Sequence, residues 1–289
     1  MAYPARRGTV PHTSQLSDVL LFRAGNAWYM VIPVRAASPL RLLPVVTSLP
    51  VVTSLLIALN TVVFLVGPAS GLDPLYAGGA HHAAVEQAYF LRWGVVPREL
   101  LDNHAGPGEF PGVPALSVLS AMFVHASWVH LLGNMVFLYV FGAMVEERLG
   151  RLPYLLFYVA VGYLATYGYA LTEWRGAGGG QALVGASGAI AGVLGAYLRL
   201  YPRARVTSVI PTLLFLPLRF PAWVVLGLWF VIQAVSVRDT SAAAPDVAYA
   251  AHLIGFTGGF LFAWLLYCRG RGHGYAGPSV LPPSQETTQ

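Results

Sequence analysis

The sequence predicts an all-α fold, a polytopic membrane helical bundle of six transmembrane helices, on three observations. Hydrophobic residues make up 56 % and charged residues 10 % of the 289-residue chain, with a mean hydropathy of +0.61. Soluble domains run at about 45–50 % apolar and about 25 % charged. Six apolar segments of helical length follow one another with mostly short connections. All 17 basic residues are arginine and most stand beside apolar runs, so the formal net charge of +5 reads as membrane topology and not as a nucleic-acid-binding surface. The single cysteine, Cys268, excludes an intramolecular disulfide and a cysteine-based zinc site.

The elements follow in order. Residues 1–48 carry five arginines, Arg6, Arg7, Arg23, Arg35 and Arg41, against one acid, Asp18. Their only apolar run, 27–34, is short and interrupted by Pro33, so this region reads as a cytoplasmic extension lying on the membrane surface and not as a secretory signal. The hexamer Leu-Pro-Val-Val-Thr-Ser occurs twice over 43–54, a local duplication at the entry to the first span. Residues 49–268 form the membrane domain, with apolar segments at about 51–67, 127–145, 153–172, 184–200, 221–237 and 247–267. The stretch between the first two contains Trp93-Gly94-Val95-Val96-Pro97. It is too polar to span and rich enough in aromatics to sit at the interface, with Tyr89, Phe90, Trp93 and Trp128 as belt residues. Residues 269–289, with Pro282, Pro283 and a polar end, read as a disordered cytoplasmic tail.

Arginine placement sets the orientation. With the N-terminus inside, only Arg92, Arg98, Arg175 and Arg238 fall in outer loops, alongside most of the acids. The positive-inside rule therefore puts both termini in the cytoplasm, as in an integral multi-pass protein of a bacterial plasma membrane. In that orientation the fourth and sixth segments both enter from outside. Ser187 and His252 then lie at a similar shallow depth beneath the outer leaflet, within reach of water.

These two residues carry the expected chemistry. An ionisable side chain is costly in hydrocarbon, so His252 in an apolar run marks a functional site. Serine needs a base to become a nucleophile, and imidazole suits that task. Gly185 and Gly188 flank Ser187 and leave room for a peptide backbone, while a helix N-terminus offers free N–H groups to a developing oxyanion. Taken alone, such a serine is more often a packing residue, because Gly188, Gly192 and Ala196, with Gly255 and Gly259, form faces that let membrane helices meet closely. Here packing and chemistry cooperate: close contact of these two segments is what brings Ser187 to His252.

A third constellation starts the second span. His130 and Asn134 are four residues apart and share a helix face, and both can donate to a tetrahedral oxyanion. His125 falls in the preceding loop, where a structural hydrogen bond is at least as good a reading as a catalytic one. The chain has no His-Glu-x-x-His metal motif and no central aspartate in any span, and Asp246 sits at the outer end of the sixth segment. A Ser-His dyad is the economical form of hydrolase.

These residues resemble a known family. His125 with His130-x-x-x-Asn134, then Gly185-Ala186-Ser187-Gly188, then Ala251-His252-x-x-Gly255-x-x-x-Gly259 are similar to the motifs of rhomboid intramembrane serine proteases, in the same order and on the same spans. Gly142, Glu146 and Tyr201-Pro202 extend the likeness over about residues 50–267. The resemblance implies Ser187 as nucleophile, His252 as general base, and an oxyanion hole drawn from Asn134, His130 and the Ser187 backbone N–H. It also implies a membrane-embedded first loop and a substrate gate at the fifth helix with its following loop. The implied partners are membrane lipids and single-pass transmembrane protein substrates, cut near the outer face; no metal or cofactor is implied. One position departs. Some relatives place an aromatic residue beneath the histidine ring one turn after the serine, and here that residue is Ala191, which leaves the support of His252 open. A rhomboid-like protein that escorts clients without cutting them, or a solute transporter, would use the same composition; the retained Ser187 and His252 argue against the first, and no inverted repeat or broken helix points to the second.

Overall fold

A computed structural model of the protein describes residues 21–24, 27–30, 50–72, 82–104, 113–209, 217–237 and 248–269. Most of the expected extension 1–48, and the tail from residue 270 on, lie outside the described residues. The described part is predominantly helical, with ten α-helices: α1 (Val51–Val66), α2 (His82–Trp93), α3 (Pro97–Asp102), α4 (Pro114–Ala121), α5 (Trp128–Phe137), α6 (Ala143–Leu149), α7 (Arg151–Glu173), α8 (Ser187–Leu200), α9 (Ala222–Ser236) and α10 (Tyr249–Arg269). A π-helical turn, Leu138–Gly142, joins α5 to α6 and makes them one apolar rod. Helices therefore occupy each of the six apolar segments. Three are long and apolar enough to cross a membrane, Trp128–Leu149, Arg151–Glu173 and Tyr249–Leu266, whereas Val51–Val66, Ser187–Leu200 and Ala222–Ser236 are shorter.

The fold is not wholly helical as expected. Among the described residues two antiparallel strand pairs occur, β1 (Leu21–Ala24) with β2 (Ala27–Met30) and β3 (Arg205–Val209) with β4 (Pro217–Pro221). The β-branched residues Val206, Thr207 and Val209 favour an extended chain. Pro217 and Pro221 sit at the ends of β4, where the missing N–H costs least.

At the centre stands α8, with every residue from Ala189 to Tyr197 buried. A helix that is apolar all round belongs in a core, and this one is built largely from Gly and Ala. Its 14 residues span about 21 Å, less than the roughly 30 Å of a bilayer's hydrocarbon. Around α8 pack α7, α10, α9 and the α5–α6 rod. The crossing with α10 is backbone to backbone. A Cβ on Gly255 would run into the Gly188 carbonyl, one on Gly259 into the Gly192 carbonyl, and one on Gly195 into the Phe256 carbonyl. The glycine faces read in the sequence as a packing surface thus interlock, and the close approach depends on their lacking side chains.

Glu146 fixes α1 against this core. Its buried carboxylate accepts from the backbone N–H of Val52 and of Thr53 at 2.9 and 2.8 Å, supplying from α6 the N-terminal cap that Pro50 cannot provide. The segment between α1 and α5 is tied down at both ends. Trp128 packs edge-on against Phe64 and donates its indole N–H to the Ser70 carbonyl. Val95 exchanges both backbone hydrogen bonds with Leu183, four residues before Ser187.

Candidate active site

The approach to Ser187 is an extended strand held on two sides. Leu183 pairs with Val95, and the Gly185 N–H donates to the Ala121 carbonyl at 2.9 Å. Gly185 has φ +119°, a conformation open to glycine and strained for other residues. It turns the chain into α8, which begins at Ser187, three residues later than the sequence reading placed the entry of this span. The first N–H groups of a helix have no intrahelical partner, so the Ser187 amide lies at the positive end of α8 beside its own hydroxyl.

Ser187 Oγ and His252 Nε2 are 2.8 Å apart. The histidine sits in the first turn of α10 and reaches Ser187 across the glycine crossing described above. Its other ring nitrogen, Nδ1, lies 2.7 Å from Oε1 of Gln233 on α9. An amide oxygen accepts, so Nδ1–H donates to Gln233 and Nε2 presents its lone pair to the serine hydroxyl. The Trp229 ring lies 6.0 Å from the imidazole at an interplanar angle of 32°, and Tyr249 meets it edge-on at 6.4 Å. Ala191 is buried in the core cluster and offers the imidazole no ring. What holds the histidine comes instead from α9 and from α10 itself.

Asn134 and His130 stand on α5. The Ser127 hydroxyl caps this helix by accepting from the His130 N–H at 3.1 Å, a serine cap three residues ahead of the group it satisfies. Asn134 is buried and its Nδ2 donates to His125 Nε2 at 2.9 Å. The same imidazole donates from Nδ1 to the Phe123 carbonyl at 3.4 Å. Burial, with His130 close by, pushes the His125 imidazole down to about 3, so it stays neutral and serves as an acceptor that aims the asparagine amide. The His130 ring packs edge-on against His125, 5.0 Å between centroids. It also lies against Gly185: the place a Cβ would take there is 2.7 Å from His130 Cε1 and Nε2 and 3.8 Å from Ser187 Oγ. His130 and the serine hydroxyl therefore flank one point on the chain.

Gly188 carries α8 past α7, where a Cβ would come within 2.8 Å of the Ala165 methyl. Beside Ser187 a cavity of about 10 Å³ opens, with Thr166, Gly185 and Gly188 among its lining, at the lower bound for holding one water. The structure thus brings Ser187, His252, His130, Gly185 and Gly188 to one locus, with Asn134 and His125 joined to it through the His130 ring. Gln233 was not among the residues singled out from the sequence. Its signal was present all the same, as the one amide in the otherwise apolar run of α9.

Comparison with known proteins places this geometry in context. Residues 115–269, more than half of the chain and all of the site, match the model of the Rhomboid domain. The chain is 29 % identical over 169 residues to RHOMBOID-like protein 5 of Arabidopsis thaliana, covering 58 % of this chain and 49 % of that protein. It is 35 % identical over 81 residues to the putative rhomboid protease YdcA of Bacillus subtilis, 28 % of this chain and 39 % of the relative. It is also 31 % identical over 158 residues to Rhomboid protein 1, mitochondrial, of Saccharomyces cerevisiae, 52 % of this chain and 42 % of the relative. The chain spans about half or less of the length of these curated relatives.

Proposed function

The chain belongs to the rhomboid family and is an integral membrane protein; from that premise we propose that it is an intramembrane serine endopeptidase, a bundle of six membrane-crossing helices that cleaves single-pass transmembrane proteins near the outer face of the membrane. The observation that carries the proposal is the 2.8 Å contact between Ser187 Oγ and His252 Nε2. A serine and an unprotonated imidazole nitrogen at that distance are placed for nucleophilic attack with general-base assistance.

In the first step Ser187 Oγ attacks the substrate carbonyl and its proton passes to His252 Nε2. The oxyanion draws on the Ser187 backbone N–H, the Asn134 amide and His130, donors fixed before the reaction begins. The imidazolium then protonates the leaving amine, an acyl-enzyme forms on Ser187, and water activated by His252 releases the new carboxylate. The shortness of α8 supports a site near the outer face, and the arginine distribution supports both termini in the cytoplasm. The Bacillus subtilis relative, named a putative rhomboid protease, supports the same reading.

The test is cleavage of a fluorescent single-span substrate in liposomes by the wild type, Ser187→Ala and His252→Ala. Cleavage by the wild type alone, with equal helical content in all three, supports the proposal. Activity retained by Ser187→Ala refutes the mechanism. A wild type that binds single-span proteins and cuts none favours a client-escorting role.

A further inference from the structure

The residue one turn after Ser187 on α8 is Ala191, which puts no ring beneath His252, yet the imidazole is not loosely held. Gln233, 8 % exposed, contacts Nδ1 on the side opposite Ser187. Trp229, one turn earlier on the same face of α9, covers the ring. We propose that Gln233 is the positioning residue of the dyad, selecting the Nδ1–H tautomer of His252 and stabilising the imidazolium that forms when Ser187 gives up its proton.

The argument is one of tautomers. A neutral imidazole carries one hydrogen, and a base acting on Ser187 must carry it on Nδ1. In isolation the two tautomers differ little, so an acceptor at Nδ1 decides which is present. The Gln233 oxygen at 2.7 Å is that acceptor. Were the amide turned the other way, its NH₂ would donate to Nδ1, the hydrogen would move to Nε2, and His252 would face Ser187 as a donor unable to take its proton. The side-chain orientation therefore separates an active from an inactive site.

The choice of an amide follows from the surroundings. A carboxylate would hold the imidazolium more strongly but carries a desolvation cost in a membrane interior that an amide avoids. The support also comes from a different helix than the nucleophile. Since a hydrogen bond weakens steeply once its distance and angle are lost, displacing α9 from α10 by roughly an ångström frees the tautomer, so the seating of α9 controls whether His252 is competent.

The inference rests on the proteolytic reading for its kinetic consequences but not for its structural one, and the experiment separates them. Full-length wild type, Gln233→Met, which keeps length and loses the acceptor, and Gln233→Glu, which keeps the acceptor, are compared in detergent. Two readouts are taken: kcat and KM against pH with the single-span substrate, and the imidazole ¹⁵N shifts of His252, assigned by their loss in His252→Gln. Gln233→Met is expected to lower kcat about tenfold to a hundredfold with KM unchanged, and to leave His252 in mixed tautomers. Gln233→Glu is expected to restore the Nδ1–H tautomer and most of kcat, with the acid limb of the profile moved to higher pH because a carboxylate favours the imidazolium. Wild-type kcat, pH limb and tautomer in Gln233→Met would overturn the proposal. Equal losses in both variants with the tautomer unchanged would overturn it too, as that pattern reports packing. If the wild type cuts nothing, the proteolytic reading fails alone, and the ¹⁵N shifts still decide the role of Gln233.

Discussion

Asn134 Nδ2 and His125 Nε2 lie 2.9 Å apart, a buried contact between a helix residue and a loop residue nine positions earlier. The bond uses one of the two amide hydrogens of Asn134 and leaves the other to point elsewhere. A donor aimed in advance at a developing charge is what an oxyanion hole requires. Asn134→Ala is therefore expected to lower kcat about 10²–10³-fold with little change in KM. His125→Ala, which leaves the amide in place but unaimed, should cost less, about tenfold. The double variant should be no worse than Asn134→Ala, since the two act through one group; full additivity in a kinetic cycle would show that His125 does something other than aim Asn134.

Gly185 makes a sharper prediction because two independent features forbid a side chain there. Its φ of +119° strains any L-residue, and a Cβ would strike the His130 ring at 2.7 Å. Strain of this kind costs about 1–3 kcal/mol, and relieving it moves either His130 or the turn that presents Ser187. Gly185→Ala should lose most activity while remaining folded, visible as near wild-type helical content with reduced labelling of Ser187 by a serine-directed fluorophosphonate. Normal labelling and turnover would mean that the turn tolerates the methyl.

The α8–α10 crossing should respond differently, in stability first. At Gly259 a Cβ has no flexible side chain to push aside, because the obstacle is the Gly192 backbone carbonyl. Gly259→Val should separate the helices, and overpacking of this kind costs about 1–3 kcal/mol or more. Since Ser187 and His252 meet only across that crossing, activity and thermal stability in detergent should fall together. Gly227, which has nothing within 4 Å of a built Cβ, is the control: Gly227→Ala should leave both unchanged.

How far the sequence carried these conclusions depended on what kind of contrast a residue made. Ser187 and His252 stood out because a hydroxyl beside glycines and an imidazole in an apolar run are conspicuous where most neighbours are Leu, Val and Ala. The six apolar segments were visible for the same reason. Gln233 was equally conspicuous by type, yet its meaning depends on a neighbour nineteen positions away, and hydropathy places segments without saying which faces meet. The role of His125 was open because a loop histidine takes its function from whatever folds over it. The β3–β4 pair escaped notice because the connection between the fourth and fifth segments, with Arg203, Arg205 and Arg219, reads as a cytoplasmic loop, and composition does not say that its two arms pair.

Burial of His125 also predicts a dependence of stability on pH. In the folded protein its imidazole is lowered to about 3 by desolvation first and by the neighbouring His130 second, whereas in an unfolded chain it titrates near 6.5. Between these values the unfolded state binds a proton that the folded state refuses. Stability contributed by the neutral ring is complete above the unfolded value and is lost as pH falls through that window, at up to about 1.4 kcal/mol per pH unit. Other groups titrate in the same range, so the comparison that isolates the effect is wild type against His125→Gln, whose amide oxygen still accepts from Asn134 but takes up no proton. The apparent melting temperature of the wild type should drop more steeply between pH 7.5 and pH 5 than that of His125→Gln. Parallel curves would show that the His125 cavity admits a proton, and with it a rearrangement of the Asn134 amide that would have to appear as a matching acid loss of kcat.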